Sequence, residues 1–256
     1  MKTIRQRSLL VVALSLFQRS ISFTAQPRKQ SIASVSQTVM AATASESSNG
    51  GGQPLLVSFC ERLDCDLSKP EAPVLILASQ SPRRREILDM MGLSEGKEYL
   101  VEPSPLDESK LQVELANEEL SPVEYTRRLA EAKALALAEA HAASEEHNSP
   151  KIRYYLGSDT IVEIDDSILE KPKDQEDAKR MLTTMSGRKH RVHTGVALYR
   201  LESNQEKPAL MDSFTDTACV QFTDITNDDM DAYIRSGEPM DKAGSYGIQG
   251  NLLFCL

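Results

Sequence analysis

The residues best suited to chemistry lie in four short segments of the chain. The first, Ser79-Gln80-Ser81-Pro82-Arg83-Arg84-Arg85, follows the apolar run Val74–Ala78. Small hydroxyl residues turn the chain there, Ser81 can cap a helix, and Pro82 suits the first helical position. The free N–H groups of such a helix start bind phosphate, and adjacent arginines give bidentate charge to its oxygens. The plainer reading is a capped surface helix with solvated arginines. The second segment, Gly157-Ser158-Asp159-Thr160-Ile161-Val162, places a carboxylate at the start or end of an apolar strand. There it can bind a metal, accept a proton from water, or simply close a turn. In the third, Leu169-Glu170-Lys171-Pro172-Lys173-Asp174, two lysines flank a proline that fixes the loop, a common arrangement on its own. The fourth, 236–250, has four glycines and a proline, which exclude a helix interior. It is either a structural turn or a backbone that closely approaches a ligand, with Gln249 able to read a base edge. No G-x4-G-K-[ST] loop occurs anywhere in the chain.

Other reactive side chains carry less. His190 and His193 are three apart at a strand start, so alternation puts them on opposite faces, and they read as structural or surface residues. Cys60, Cys65, Cys219 and Cys255 are too few and scattered for a disulfide scaffold, and Cys60-x4-Cys65 lacks a second ligand pair.

The elements that must hold these segments alternate between strand and helix. Val74–Ala78 reads as a buried strand, Arg83–Met91 as a helix stopped at Gly92, and Ser121-Pro122 as the start of an Ala-rich helix reaching about Ala143. That helix carries Leu129, Ala132, Leu135 and Ala136 at helical spacing. Tyr154–Gly157 and Thr160–Ile164 form a strand pair or one interrupted strand. Asp174–Met185 and Asn227–Ser236 read as helices, and Val192–Tyr199 and Thr217–Phe222 as strands. The pattern predicts a three-layer α/β domain over 73–256, long enough to bury a core without disulfides.

Composition narrows the partners. The chain has 256 residues, 40% hydrophobic and 26% charged, with a net charge of −9. Residues 1–45 hold six basic residues and no acidic one, which leaves 46–256 with 23 basic and 38 acidic residues, or −15. So acidic a body does not coat nucleic acid polymers, and an anionic ligand must be met by a local basic cluster. No apolar run reaches the roughly 18 residues of a membrane span. Residues 1–53 are a targeting leader and flexible linker, and 54–72 a connecting segment. A basic start, the apolar core Leu9–Phe17 and the small residues Ser20-Ile21-Ser22 make a signal peptide. Phe23–Ser45, rich in Ser, Ala, Thr and Gln without an acid, has transit-peptide composition, and Gly50-Gly51-Gly52 marks the linker. The combination resembles the bipartite leaders of secondary plastids, with a mitochondrial presequence or secretion as alternatives.

In order, LILASQSPRRREIL, VEPSPLDES, EYTRRLAEAKA, GSDTIV, LEKPKDQEDAKRML, SGRKHRVHTGVAL and SGEPMDKAGSYGIQG resemble the Maf (septum-formation-inhibitor-like) nucleoside triphosphate pyrophosphatases, across nearly all of 74–250. The resemblance implies a mixed-sheet α/β fold related to the inosine triphosphate pyrophosphatases. It also implies hydrolysis of a nucleoside triphosphate to monophosphate and pyrophosphate with a divalent cation, Mg²⁺ or Mn²⁺. By motif position, Asp159 is the proton acceptor for the attacking water and Glu108 helps hold the metal or the water, so both are metal candidates. Arg83, Arg84, Lys133 and Lys171 neutralise the triphosphate, and Ser79 and Ser81 donate hydrogen bonds to it. Asp159-Thr160 and the Tyr246–Gly250 stretch resemble the dTTP/UTP branch, with Arg83, Thr160 and Gln249 as discriminating positions. The family implies a homodimer and a role in house-cleaning of nucleotide pools. It normally continues past this last motif with a further strand and a final helix. Here only six residues follow Gly250, so the C-terminal part of the fold is expected to be truncated. The rival readings are a pyrophosphatase for 7-methyl-GTP or non-standard purine triphosphates, and a non-catalytic nucleotide-binding regulator of cell division.

Overall fold

The computed structural model describes residues 65, 67–69, 72–144, 152–202, 205 and 207–247. The leader, the linker, Cys60, Cys255, Gln249 and the chain after Gly250 lie outside the described residues. The elements run β1 (Val74–Leu77), α1 (Pro82–Met90), β2 (Tyr99–Val101), α2 (Glu108–Ala116), α3 (Pro122–Ala142), β3 (Arg153–Ile164), β4 (Ser167–Leu169), α4 (Gln175–Met185), β5 (Lys189–Leu201), β6 (Ala209–Gln221) and α5 (Asn227–Arg235). Two short 3-10 turns follow, at Glu238–Asp241 and Ala243–Ser245. The strands form one mixed sheet in the order β2-β1-β3-β5-β6, with β4 paired to β3.

The described residues divide into two compact units: those within 65–104, 137–156 and 199–211 make the first, and those within 105–136, 157–198 and 212–247 the second. In the first, β1 pairs in parallel with β2 (Leu75 opposite Tyr99) and with β3 (Leu77 opposite Leu156). All four residues of β1 are buried, as expected of a parallel strand whose continuous apolar run is covered on both faces. In the second, β4 runs antiparallel to β3, with Val162 opposite Leu169. Leu115 of α2 and Tyr125 and Leu129 of α3 pack with Ile161 of β3 into one apolar cluster, with Leu111, Leu120 and Ile168 at its margin.

The helices are where their caps and breakers place them. Asp107 accepts from the Lys110 N–H at the start of α2, Asp174 from Asp177 at α4, and Thr226 from Asp229 at α5. Four details differ from the sequence reading. Ser81 stands at the N-cap of α1 but its side chain makes no cap bond, and the Arg84 N–H instead bonds the Ser81 main-chain carbonyl at 3.2 Å. β3 is a single uninterrupted strand across Gly157-Ser158. β5 and β6 are each 13 residues long, since polar residues such as Asp212, Ser213 and Thr215 continue a half-exposed strand at the end of the sheet order. In α3 the buried rows are Tyr125-Leu129-Lys133-Leu137 and Thr126-Ala130-Ala134-Ala138, whereas Ala132, Leu135 and Ala136 are only partly covered. A lysine in the first row and small residues in the second hid that face from an apolar periodicity.

Candidate active site

Two glycines determine how closely α3 lies on the sheet of the second unit. A Cβ on Gly157 would stand 2.3 Å from the Ala130 carbonyl oxygen and 2.9 Å from Ala134 Cβ. One on Gly195 would stand 2.3 Å from the Thr126 carbonyl oxygen. Only a residue without Cβ lets helix backbone approach β3 and β5 so closely. On the same helix, Ser213 of β6 donates to Glu131 at 2.5 Å and Thr215 donates to the Val123 carbonyl at 2.8 Å.

This seating brings Lys133, only 5% exposed, to Asp159 two residues beyond Gly157 on β3. The Lys133 ammonium pairs with Asp159 Oδ1 and, at 2.9 Å, with Glu108 Oε2 at the first position of α2. A buried ammonium is tolerated only when paired, and here it joins carboxylates from two other elements. Asp159 is largely covered and Glu108 opens to solvent, their side chains being 14% and 43% exposed. Water and ligand therefore have access from the Glu108 side.

A third carboxylate, Glu170, adjoins this group. Tyr125 donates its hydroxyl to Glu170 Oε1 at 2.6 Å, and Gln112 of α2 also bonds its side chain. Burial is the largest influence on Glu170 and raises its pKa, with the charges of Asp159 and Glu108 adding to the rise and the two hydrogen bonds opposing it. Burial likewise raises the Tyr125 phenol, helped by Glu170 and Asp159. Those mutual influences place Tyr125, Glu170, Asp159 and Glu108 in one electrostatic neighbourhood.

In the first unit the turn after β1 is organised around one hydroxyl. Ser79 Oγ accepts from the Ser81 N–H at 3.2 Å and from Arg84 Nη1 at 2.6 Å. Arg83 and Arg84 are half-buried, and the first turn of α1 holds no acidic residue. Such a helix start keeps its positive end uncompensated, which favours an anion.

The structure thus gathers Glu108, Lys133 and Asp159 in the second unit, and Ser79, Ser81 and Arg84 with neighbouring Arg83 in the first. Strand alternation turns Thr160 to the face opposite Asp159, where its hydroxyl lies 3.4 Å from that of Thr194. Lys171 is exposed, next in the chain to Glu170. Sequence reasoning gave no role to Tyr125 and Glu170, although both stand inside the matched motifs. The signal was the eight-residue spacing of Tyr125 and Lys133 through Leu129.

Both histidines are structural core residues, each fully covered. His193 bonds Glu163 at 2.6 Å and Thr217 at 2.8 Å, and Arg191 donates to the other Glu163 oxygen at 3.0 Å. His190 stands 2.7 Å from the Tyr246 hydroxyl and edge-on to Phe222, and burial pushes its imidazolium down to about 4.

An α/β protein with a lysine–dicarboxylate centre and a separate hydroxyl–arginine turn belongs among proteins that handle phosphate-rich ligands. Residues 74–256 match the model of the family described as Maf-like protein. The dTTP/UTP pyrophosphatase of Shewanella denitrificans is 44% identical over 176 residues, covering 68% of this chain and 79% of that protein. The dTTP/UTP pyrophosphatase of Bacillus pumilus is 43% identical, covering 69% and 79%, and that of Vibrio cholerae 42% identical, covering 69% and 81%. The chain belongs to the Maf-like protein family.

Proposed function

We propose that this chain hydrolyses dTTP, UTP and modified pyrimidine triphosphates to the nucleoside monophosphate and pyrophosphate. It is a nucleoside triphosphate pyrophosphatase, a hydrolase of nucleotide metabolism. The observation that carries the reading is the buried Lys133 joining Glu108 and Asp159, in a chain whose relatives at 42–44% identity are named dTTP/UTP pyrophosphatases.

Water attacks the α-phosphorus, the bond from that phosphorus to the bridging oxygen breaks, and pyrophosphate leaves with the electron pair. Asp159 takes the proton of the water, and Lys133 fixes the orientation of its carboxylate. Glu108, on the solvent side, holds the water in line. Such reactions depend on positioning and charge neutralisation more than on covalent help, and this centre supplies both. Ser79, Ser81, Arg83, Arg84 and Lys171 bind phosphate oxygens.

Maf-family pyrophosphatases are generally divalent-cation dependent. Among the described residues, no group of three or more His, Cys, Asp or Glu is placed to hold a metal ion by itself. Glu108 and Asp159 would hold a hard divalent cation, since both offer the carboxylate oxygens that Mg²⁺ or Mn²⁺ prefers. When bound, that cation neutralises phosphate charge and makes the water more acidic.

Arg83 and Gln249 are assigned the choice of base. Pyrophosphate release from dTTP, UTP, CTP, ITP and 7-methyl-GTP by the purified full chain tests this. Preference for dTTP and UTP is expected, and equal turnover of 7-methyl-GTP would refute the pyrimidine assignment. The leader composition supports delivery to a plastid, which a full-length fluorescent fusion tests; its export from the cell would count against it. No helix of the described residues is long and apolar enough to cross a membrane.

A further inference from the structure

Glu170 has no part in the reaction as written, yet it is held from several sides. Tyr125 of α3 donates to one carboxylate oxygen at 2.6 Å, and Gln112 of α2 supplies a second side-chain bond. Its main-chain carbonyl accepts from the Gly244 N–H at 3.0 Å, so the backbone is anchored as well. The two clamping helices are those that carry the site. Tyr125 and Lys133 share one buried row of α3, and Gln112 follows Glu108 by one turn of α2. A glutamate serving only solubility would sit in water, without a buried tyrosine hydroxyl committed to it.

The electrostatics give this placement its meaning. Lys133 pairs with Glu108 and Asp159, and the charges of both carboxylates act on Glu170. The three carboxylates repel one another, and an incoming triphosphate adds to that repulsion. A doubly charged cation held by Glu108 and Asp159 relieves it.

We infer that Glu170 is a positioning residue of this active site: clamped by Tyr125 and Gln112, its carboxylate supplies the extra charge that draws a divalent cation to Glu108 and Asp159. It acts through those two carboxylates and is not itself placed as a ligand. The inference rests on the pyrophosphatase reading above.

The test is Mn²⁺ binding to the nucleotide-free full chain, followed by electron paramagnetic resonance, for wild type, Glu170→Gln and Tyr125→Phe. Glutamine keeps the size of the side chain and an oxygen for Tyr125, and removes only the charge. Glu170→Gln is expected to weaken Mn²⁺ binding about tenfold, equivalent to about 1.4 kcal/mol. The Mg²⁺ concentration giving half-maximal pyrophosphate release should rise by a similar factor, while KM for dTTP at saturating Mg²⁺ stays within about twofold. Tyr125→Phe leaves the ring in its apolar cluster and should move both readouts a few-fold in the same direction. A merely structural role would lower Tm and leave the metal affinity of the folded protein alone. Folded Glu170→Gln with wild-type Mn²⁺ affinity would overturn the inference, and if that variant does not fold, unchanged Mn²⁺ affinity in Tyr125→Phe does the same. A wild type that binds Mn²⁺ no better than Glu170→Gln would overturn it too. The binding readout needs no turnover. Weakened Mn²⁺ binding in the variants of a chain that releases no pyrophosphate would thus support Glu170 while refuting the reaction.

Discussion

Gly157→Ala is the substitution that most directly probes how the site is held. The new Cβ would lie 2.3 Å from the Ala130 carbonyl oxygen and 2.9 Å from both Ala134 Cβ and Ala134 N. An ordinary C···O contact is about 3.3 Å, so roughly 1 Å of separation is missing. The opposing atoms are mainly helix backbone, so no side chain can swing aside, and α3 or β3 must move. Overpacking of this kind costs about 1–3 kcal/mol. At about 2–4 °C per kcal/mol for a domain of this size, Tm should fall by about 2–12 °C. Ala130 and Ala134 flank Lys133, so the same displacement separates its ammonium from Asp159. Misplacement by about 1 Å costs on the order of 10²-fold in kcat. Gly195→Ala is the control: it opposes the Thr126 carbonyl at 2.3 Å, about two turns before Lys133. It should lower Tm similarly and activity much less. Thermal unfolding by circular dichroism and pyrophosphate release from dTTP give both quantities. A Gly157→Ala protein with wild-type Tm, or with the activity of Gly195→Ala, would refute the reasoning.

Other substitutions address single elements. His190 is held near 4 when folded against an ordinary value of 6.5, so the unfolded chain binds the extra proton between those values and stability falls as pH drops from 6.5 to 4. The gap corresponds to about 3 kcal/mol, and His190→Phe should flatten that part of a plot of Tm against pH; an unchanged slope would dismiss His190 as its source. Asp107→Ala removes the cap of α2 and should cost about 1 kcal/mol, read by urea unfolding; an unchanged midpoint would show the cap contributes nothing. Ser79→Ala frees Arg84 from its 2.6 Å bond and should lower kcat/KM for dTTP about tenfold with little change in Tm; unaltered kinetics would remove this turn from phosphate binding.

Most of the fold was legible because local signals agreed with tertiary demand. Pro82, Pro122 and Asp174 marked helix starts within a residue of where they lie, and the apolar run at Val74 marked the fully buried strand β1. β2 and β4 escaped because three residues carry no periodicity, and α2 because its two core contacts, Leu111 and Leu115, sit in a polar stretch. Asp159, in the middle of a strand rather than at its start or end, was legible as a reactive carboxylate. Its partnership with Lys133 was not, because helical periodicity assigns a lysine to solvent unless small neighbours such as Ala130 and Ala134 reveal a face pressed on glycine. Tyr125 read as apolar core, which its ring is, while its hydroxyl serves Glu170.

The central claim is that Asp159, held by Lys133, takes the proton of a water that splits pyrophosphate from a nucleoside triphosphate. Incubating the full chain with dTTP and Mg²⁺ and quantifying products by ion-exchange chromatography tests it most directly. The account predicts dTMP and pyrophosphate in equal amounts from wild type, and a loss of at least about 10²-fold in Asp159→Asn with dTTP binding retained. Orthophosphate and dTDP as products, or undiminished turnover by Asp159→Asn, would contradict it.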